Sequence, residues 1–177
     1  MSAVAARRGL PAAWWGMAMF VAAEGTLLVM MVGTYFYLRF KNVTWPPHGI
    51  PEPKVTLPLV MLAVLVLTTA PMWLANRTAA ARPWILVALA AQIAYLAVSL
   101  HSYANDLDRF TPQDHAYGSI YFTLLGADHA HVLVGILLNL WLLLRLRRNA
   151  LLAVSFYWYF VNALTVVVTL TVLSPAL

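Results

Sequence analysis

One apolar run, residues 117–144, constrains this chain more than any other feature, because it carries ionisable side chains at its centre. It reads YGSIYFTLLGADHAHVLVGILLNLWLLL. About 20 apolar residues at 1.5 Å per residue are enough to cross a bilayer as a helix. Asp128, His129 and His131 lie near the middle of the run. Ionisable groups at that depth are costly and normally face a bundle interior or a water-filled cavity. The run therefore predicts a transmembrane helix with one face buried in protein.

Helical spacing assigns these ionisable side chains to two different sides of the helix. Asp128 and His131 are three residues apart and share a face. That face also includes Tyr117, Tyr121, Leu124, Gly135 and Leu138. His129 is predicted to point elsewhere. One side of the helix is therefore expected to contact protein, and the rest to face lipid or apolar packing.

Composition excludes a soluble domain. Of the 177 residues, 63% are hydrophobic and only 10% are charged, which is too few to form the charged shell of a soluble core. The absence of cysteine excludes disulfides, iron–sulfur clusters and thiolate metal sites. The net charge of +5 does not indicate nucleic-acid binding, because the cations lie at helix ends, where they set membrane topology.

The hydrophobic runs predict an all-α, polytopic bundle of five transmembrane helices in a single domain, residues 1–177. The predicted spans are about 13–38, 55–75, 83–103, 117–144 and 150–173. Pro71 interrupts the second span near its end. Residues 39–54 contain four of the ten prolines and are expected to form an ordered surface loop.

The distribution of Lys and Arg predicts that the N-terminus lies inside and the C-terminus outside. In that orientation seven cations are inside and four are outside, which agrees with the positive-inside rule. The inner cations are Arg7, Arg8, Arg77, Arg82, Arg145, Arg147 and Arg148, and the outer ones are Arg39, Lys41, Lys54 and Arg109. Anionic lipid head groups are expected at the inner helix ends, where each basic residue attracts them by about 1 kcal/mol. The main lipid candidates are Arg77, Arg82, Arg145 and Arg147.

Only two carboxylates lie within the predicted spans, Glu24 and Asp128. Acids at such depth are candidates for a proton relay or a substrate contact, and a buried structural hydrogen bond is the alternative. Both interpretations stay open from the residues alone. A carboxylate-bridged two-metal bundle needs about four carboxylates and two inward histidines. The acids number only two and His129 is on the wrong face, so we predict that the chain has no metal site of its own. Because a haem-binding bundle needs axial histidines on facing helices and the first, second and fifth spans contain none, we predict no haem either.

Glu24 and His131 are predicted to lie in one layer of the membrane. Counting from the inner helix ends at 1.5 Å per residue places them about 17 Å and about 21 Å from the inner surface. Because two unpaired ionisable groups would each carry a desolvation cost, we expect a direct or single-water hydrogen bond between them. Asp128 is expected one turn outward as an auxiliary partner.

The fifth span carries a second set of polar side chains at helical spacing. These are Ser155, Tyr159, Asn162, Thr165 and Thr169. They are expected to pair with the fourth span across an antiparallel hairpin, with Asn162 level with His131 and Thr165 level with Asp128. Hydrogen bonds of this kind between membrane helices contribute about 0.6 kcal/mol each.

Several segments resemble those of subunit III of the haem–copper cytochrome c oxidases. WWGMAMFVAAEGTLLVMMVGTYFYLR is similar to that family's WWGM…E…YFYLR helix, and TWPPHGIPEP to its W-P-P-x-G-I loop. FTPQDHAYGSIYFTLLGADHAHVLVG resembles F-x-x-x-D-x-x-Y-G-S-x-F-F-x-x-T-G-x-H-G-x-H-V-x-x-G, and SFYWYFVNAL resembles the Y-W-H-F-V-D segment. The resemblance extends in order over roughly residues 14–165.

The resemblance implies a short, five-helix bacterial form of a seven-helix parent, in the cytoplasmic (inner) membrane. It implies a non-catalytic, stabilising subunit of a terminal oxidase that reduces oxygen with cytochrome c and pumps protons. Haem and copper would then lie in partner subunits. The chain would pack on subunit I as its main contact, assemble with subunit II and other subunits, bind phospholipids and support proton uptake.

The chain departs from the family pattern at several polar positions. Asp128 and His129 replace the first histidine and the glycine of H-G-x-H, and Tyr95 replaces a glutamate. Tyr159 and Asn162 replace the histidine and aspartate of W-H-F-V-D. Two alternatives remain, an accessory subunit of a nitric oxide reductase and a small stand-alone transporter. The W-P-P-x-G-I loop disfavours the first, and the absence of inverted repeats disfavours the second.

Overall fold

The structure, a computed structural model, describes residues 10–177, and every regular element among them is an α-helix. The helices are α1 (Ala12–Lys41), α2 (Thr56–Leu67), α3 (Thr69–Arg77), α4 (Ala81–Leu107), α5 (Ala116–Leu144) and α6 (Arg148–Leu173). Because α2 and α3 together form one span, five helices in the described part are long and apolar enough to cross a membrane. The five predicted spans are thus confirmed. Arg7 and Arg8 lie outside the described residues, and the orientation and the single domain stay predictions.

The second span is broken at Thr68, between α2 and α3. Pro71 causes the break, because it lacks an N–H and its ring clashes with the carbonyl of the residue four positions earlier, Leu67. The hydroxyl of buried Thr68 donates to the carbonyl of Leu65 at 2.6 Å, and its backbone N–H donates to the same carbonyl at 3.0 Å. After the break, α3 packs against α4 and α6.

The helices differ greatly in how far the rest of the chain encloses them. In α6, 61% of the apolar segment is buried, whereas in α1 the share is only 6%. α1 packs against α5 and α6 at the edge of the bundle and leaves large apolar side chains exposed, among them Met19, Val29 and Met30. The outer face of α1 is therefore available to lipid or to another subunit.

A glycine of α5 makes room for the largest fully buried side chain of α6. A Cβ added at Gly135 would lie 2.6 Å from a ring carbon of Trp158, whose side chain is fully buried. Small residues allow membrane helices to approach closely, and here the missing side chain makes room for an indole. Gly135 therefore sets the spacing of the two helices at this level.

Two loops, residues 42–55 and 108–115, lie at the same end of the bundle, which we call the loop end. The ring of Trp45 packs edge-on against Tyr35 and Tyr117, with centroid separations of 5.5 and 5.0 Å. In the second loop the backbone N–H of Thr111 donates to Asp114 at 2.7 Å, and this hydrogen bond lowers the pKa of that exposed carboxyl. Both loops are thus held by specific contacts, as expected for the first of them.

Candidate functional site

Glu24 and His131 face each other, as predicted, and join α1 to α5, while a hydrogen bond between them stays a prediction. Nε2 of His131 lies 3.5 Å from Oε2 of Glu24. The side chains are 12% exposed for His131 and 31% exposed for Glu24, so the pair lies at the edge of the bundle. It is therefore placed where it can hold the outermost helix against the enclosed ones.

The other imidazole nitrogen determines the tautomer of His131. Nδ1 of His131 lies 2.7 Å from the carbonyl oxygen of Ala127, one turn earlier. A carbonyl only accepts, so Nδ1 must carry the hydrogen, and Nε2 of a neutral imidazole is then an acceptor. A hydrogen bond to Glu24 consequently requires one proton between the two groups. Either the carboxylate faces an imidazolium, or a carboxylic acid donates to a neutral imidazole.

Asp128 is 1% exposed and joins three helices instead of assisting the Glu24–His131 pair. Its Oδ1 accepts from Thr165 of α6 at 2.5 Å, and its Oδ2 accepts from Tyr95 of α4 at 3.1 Å. The predicted pairing of Asp128 with Thr165 is confirmed, and the expected auxiliary role beside Glu24 is wrong. The reason is rotation: three residues along a helix leave His131 about 60° away from Asp128 around the axis, toward the bundle edge.

The other polar residues of α6 show that the predicted pairing between α5 and α6 is only partly right. The amide of Asn162 donates to Thr69 of α3 at 2.8 Å, and Asn76 of α3 donates to Ser155 at 2.6 Å. These two α6 residues therefore bond to α3, which packs against α6. Tyr157, which the sequence did not single out, reaches α5 by donating to the carbonyl of His131 at 2.9 Å.

Two further expectations concern Tyr159 and His129. Tyr159 is half-buried and packs against the apolar cluster around Trp158. His129 is buried, and its ring packs edge-on against Tyr103 of α4 at a centroid separation of 5.4 Å. The prediction that His129 lies on a different face of α5 from Asp128 is confirmed. That face was expected to meet lipid or apolar packing, but it packs against α4. More than one face of α5 is enclosed, which spacing alone does not reveal.

Sequence reasoning missed a buried amide pair between α4 and α5. The Nδ2 of Asn139 donates to Oε1 of Gln92 at 2.8 Å, and both side chains are fully buried. A signal was available, because Asn139 follows Gly135 by four residues on the face shared with Asp128. Extending that face by one more turn would have found it.

The four lipid candidates, Arg77, Arg82, Arg145 and Arg147, are exposed at the end of the bundle opposite the loop end. The guanidinium of Arg77 lies 4.1 Å from the ring centroid of Trp73. Arg148 behaves differently, since it donates to the carbonyls of Ala75 and Thr78 at 3.4 and 3.3 Å. It thereby supplies donors to the otherwise unsatisfied carbonyls at the end of α3.

Within residues 10–177, no three His, Asp or Glu side chains gather where they could hold a metal ion. The predicted lack of a metal or haem site stays a prediction. What the described arrangement contains is a carboxyl–imidazole contact at Glu24–His131, a buried carboxyl at Asp128 that accepts from two hydroxyls, and further hydrogen bonds that position helices.

Comparison with known proteins extends over nearly the whole chain. The family model described as "Cytochrome c oxidase subunit III" matches residues 2–174, which include all six described helices. The chain is 26% identical over 173 residues to cytochrome c oxidase subunit 3 of Synechocystis sp., covering 89% of this chain and 73% of that relative. It is 25% identical over 173 residues to cytochrome c oxidase subunit 3 of Locusta migratoria, covering 84% of this chain and 63% of that relative.

Proposed function

Because the chain belongs to the cytochrome c oxidase subunit III family, we propose that it is a non-catalytic, stabilising subunit of a haem–copper terminal oxidase. The family match along every described helix carries this proposal. The complex would reduce oxygen with electrons from cytochrome c and pump protons, with haem and copper held by partner subunits. This chain would sit in the bacterial cytoplasmic membrane as one multi-pass domain, with its N-terminus inside.

Within that complex, the chain's main contact is proposed to be subunit I, with subunit II and other subunits nearby. The uncovered apolar side of α1 supports this, since a contiguous exposed apolar surface suits a partner or lipid. Glu24 and His131 hold α1 against α5 and so determine the shape of the surface offered to subunit I. Asp128, Asn162 and Tyr159 would act by packing the interior.

Purification through a tag on this chain tests the proposed function. A haem-bearing partner is expected to co-purify in fixed stoichiometry. Its reduced-haem spectrum with carbon monoxide and nitric oxide, together with turnover assays, would distinguish an oxygen reductase from a nitric oxide reductase. A colourless homo-oligomer would contradict the proposal and favour the stand-alone transporter.

Substitution of Glu24 is expected to weaken subunit association more than haem chemistry. Glu24→Leu leaves His131 without its partner, which costs about 1–3 kcal/mol for a buried polar group. Glu24→Gln is expected to have the smaller effect, because the amide can still donate to the neutral imidazole. The measurement is the ratio of this chain to haem after washing with increasing detergent.

The exposed loop residue Glu52 supplies the matched control, and Glu52→Gln should leave that ratio unchanged. Loss of haem absorbance or turnover in Glu24→Gln, with the subunit ratio intact, would contradict the assigned role of the pair.

Anionic phospholipids are proposed to bind at Arg77, Arg82, Arg145 and Arg147. Arg82→Gln and Arg147→Gln are each expected to reduce binding by about 1 kcal/mol, which corresponds to several-fold in affinity. Native mass spectrometry of the purified complex would count the retained lipids. Arg109→Gln, at the loop end, is the control, and an equal loss of lipid in that variant would count against the assignment.

A further inference from the structure

A cavity of about 460 Å³ opens at the loop end and extends inward between α2, α4, α5 and α6. Its mouth is charged, with Glu52, Lys54 and Arg109 among the lining residues. Its deepest residues include Tyr95 and His129, which lie near the middle of their helices. Tyr95 precedes the loop end of α4 by three turns, so the cavity reaches about 18 Å into the bundle.

The walls of this cavity combine apolar side chains with a set of polar ones that can bind water. Ser99, Ser102, Thr169 and His129 line it below the mouth, and each has polar atoms that need hydrogen-bond partners. An acyl chain would leave such groups unpaired at a cost of about 1–3 kcal/mol each, whereas water satisfies them. The volume has room for on the order of ten water molecules.

One residue, Tyr95, connects the cavity wall to the buried carboxylate of Asp128. Tyr95 lines the cavity, and its hydroxyl donates to Oδ2 of Asp128 at 3.1 Å. The opposite oxygen of Asp128 is occupied by Thr165. Because a phenol hydroxyl both donates and accepts, Tyr95 can give its proton to Asp128 while it takes one from a cavity hydronium. Tyr95 ends this step neutral, and one proton has moved from water to the carboxylate.

The titratable groups around Asp128 come from three helices. α4 contributes Tyr95, and α5 contributes His129 and His131, while Glu24 of α1 lies beyond His131. The cavity-lining side chains of α2 are Leu57, Pro58 and Met61, and those of α6 are Thr169, Val172 and Leu173. None of those six titrates, so the path from the mouth to Asp128 passes the α4 and α5 walls.

Toward the opposite end, the interior beyond Asp128 is filled by side chains. Val132, Trp158 and Leu142 are fully buried there, and the Gln92–Asn139 amide pair lies among them. We propose that the cavity is a water-filled half-channel through which Asp128 exchanges its proton with the loop end of the bundle.

Hydration of the cavity is tested by cysteine labelling, since the chain contains no native cysteine. Ser99→Cys places a thiol in the cavity wall, and Ser155→Cys places one in the buried interior near the other end. The probe is a cationic, water-soluble methanethiosulfonate applied to the purified complex, with modification read from the mass of this chain. Ser99→Cys is expected to react at least about tenfold faster, because reaction needs hydrated thiolate. Equal rates, or an unreactive Ser99→Cys, would overturn the half-channel.

Proton exchange at Asp128 is tested by infrared spectroscopy with 13C-labelled aspartate. The band of the protonated Asp128 carboxyl is assigned by its loss in Asp128→Asn. It is expected to appear as the pH is lowered. On transfer to D₂O it is expected to shift at once. Tyr95→Phe should slow that shift by about tenfold, the effect of roughly 1.4 kcal/mol in a barrier. Three results would overturn the proposal. These are a shift in D₂O only as slow as the exchange of the buried backbone amides, a shift as fast in Tyr95→Phe as in the parent, and a band that never appears while the complex stays assembled.

Discussion

Gly135→Ala is expected to destabilise the bundle strongly, because the added methyl group collides with a side chain that cannot move away. The new Cβ would lie 2.6, 2.8 and 3.0 Å from three ring carbons of Trp158. That indole is rigid and fully buried, so α5 and α6 must separate instead. Overpacking of this kind costs about 1–3 kcal/mol and occasionally more. Thermal unfolding of the full chain in detergent, followed by circular dichroism, measures the loss.

Gly33→Ala provides the matched control on α1. A Cβ at Gly33 has no neighbour within 4 Å, so the unfolding temperature should stay the same or rise slightly. Alanine is the better helix former by up to about 1 kcal/mol. Adding Trp158→Leu to Gly135→Ala should partly restore stability, because a smaller side chain makes room for the methyl. If Gly135→Ala unfolded at the same temperature as Gly33→Ala, the tight contact between Gly135 and Trp158 would be disproved.

Asp128→Ala is expected to produce the second large loss, because it removes the acceptor shared by two buried hydroxyls. Tyr95 and Thr165 would each lose their partner, at a cost of about 1–3 kcal/mol per group. Asp128→Asn should cost less, since it keeps the shape of the side chain and one carbonyl oxygen. The free energy of unfolding in a graded denaturing detergent measures both variants.

Asp108→Ala, in the exposed loop between α4 and α5, is the control and should have little effect. A double-mutant cycle with Thr165→Val isolates the contact across α5 and α6. The two substitutions together should cost clearly less than the sum of the single ones, since either breaks the same hydrogen bond. Simple additivity would mean that Asp128 stabilises the bundle without Thr165.

The five spans and the depth of their polar residues were predictable because membrane helices follow simple length rules. Apolar runs of about 20 residues identify spans, and a rise of 1.5 Å per residue converts position into depth. That arithmetic placed Glu24 beside His131, and Asp128 beside Thr165. The depth of a residue in the membrane does not depend on how its helix is rotated, so a wrongly predicted rotation does not change the predicted depth.

The hydrogen-bond partner of each polar residue was less predictable, because it depends on how each helix is rotated about its axis and on the break between α2 and α3. Asn162 and Ser155 were expected to face α5 but bond to α3. Their partners, Thr69 and Asn76, lie on α3, after the break at Thr68, and no short sequence pattern shows which helix α3 faces. Pro71, which causes the break, was evident in the sequence, but the face that α3 presents to α6 was not.

The position of α1 also has a consequence for how the protein is made. α1 emerges first from the ribosome among the described helices, yet its partners in the bundle are α5 and α6, the last two. About a hundred residues separate Glu24 from His131, so at roughly 5–20 residues per second α1 waits on the order of ten seconds for its partner. During that interval a lone carboxyl group must be tolerated at mid-membrane, where it is costly. Glu24 therefore stays unpaired in the nascent chain until α5 has been made, and the docking of α1 is a late step of folding.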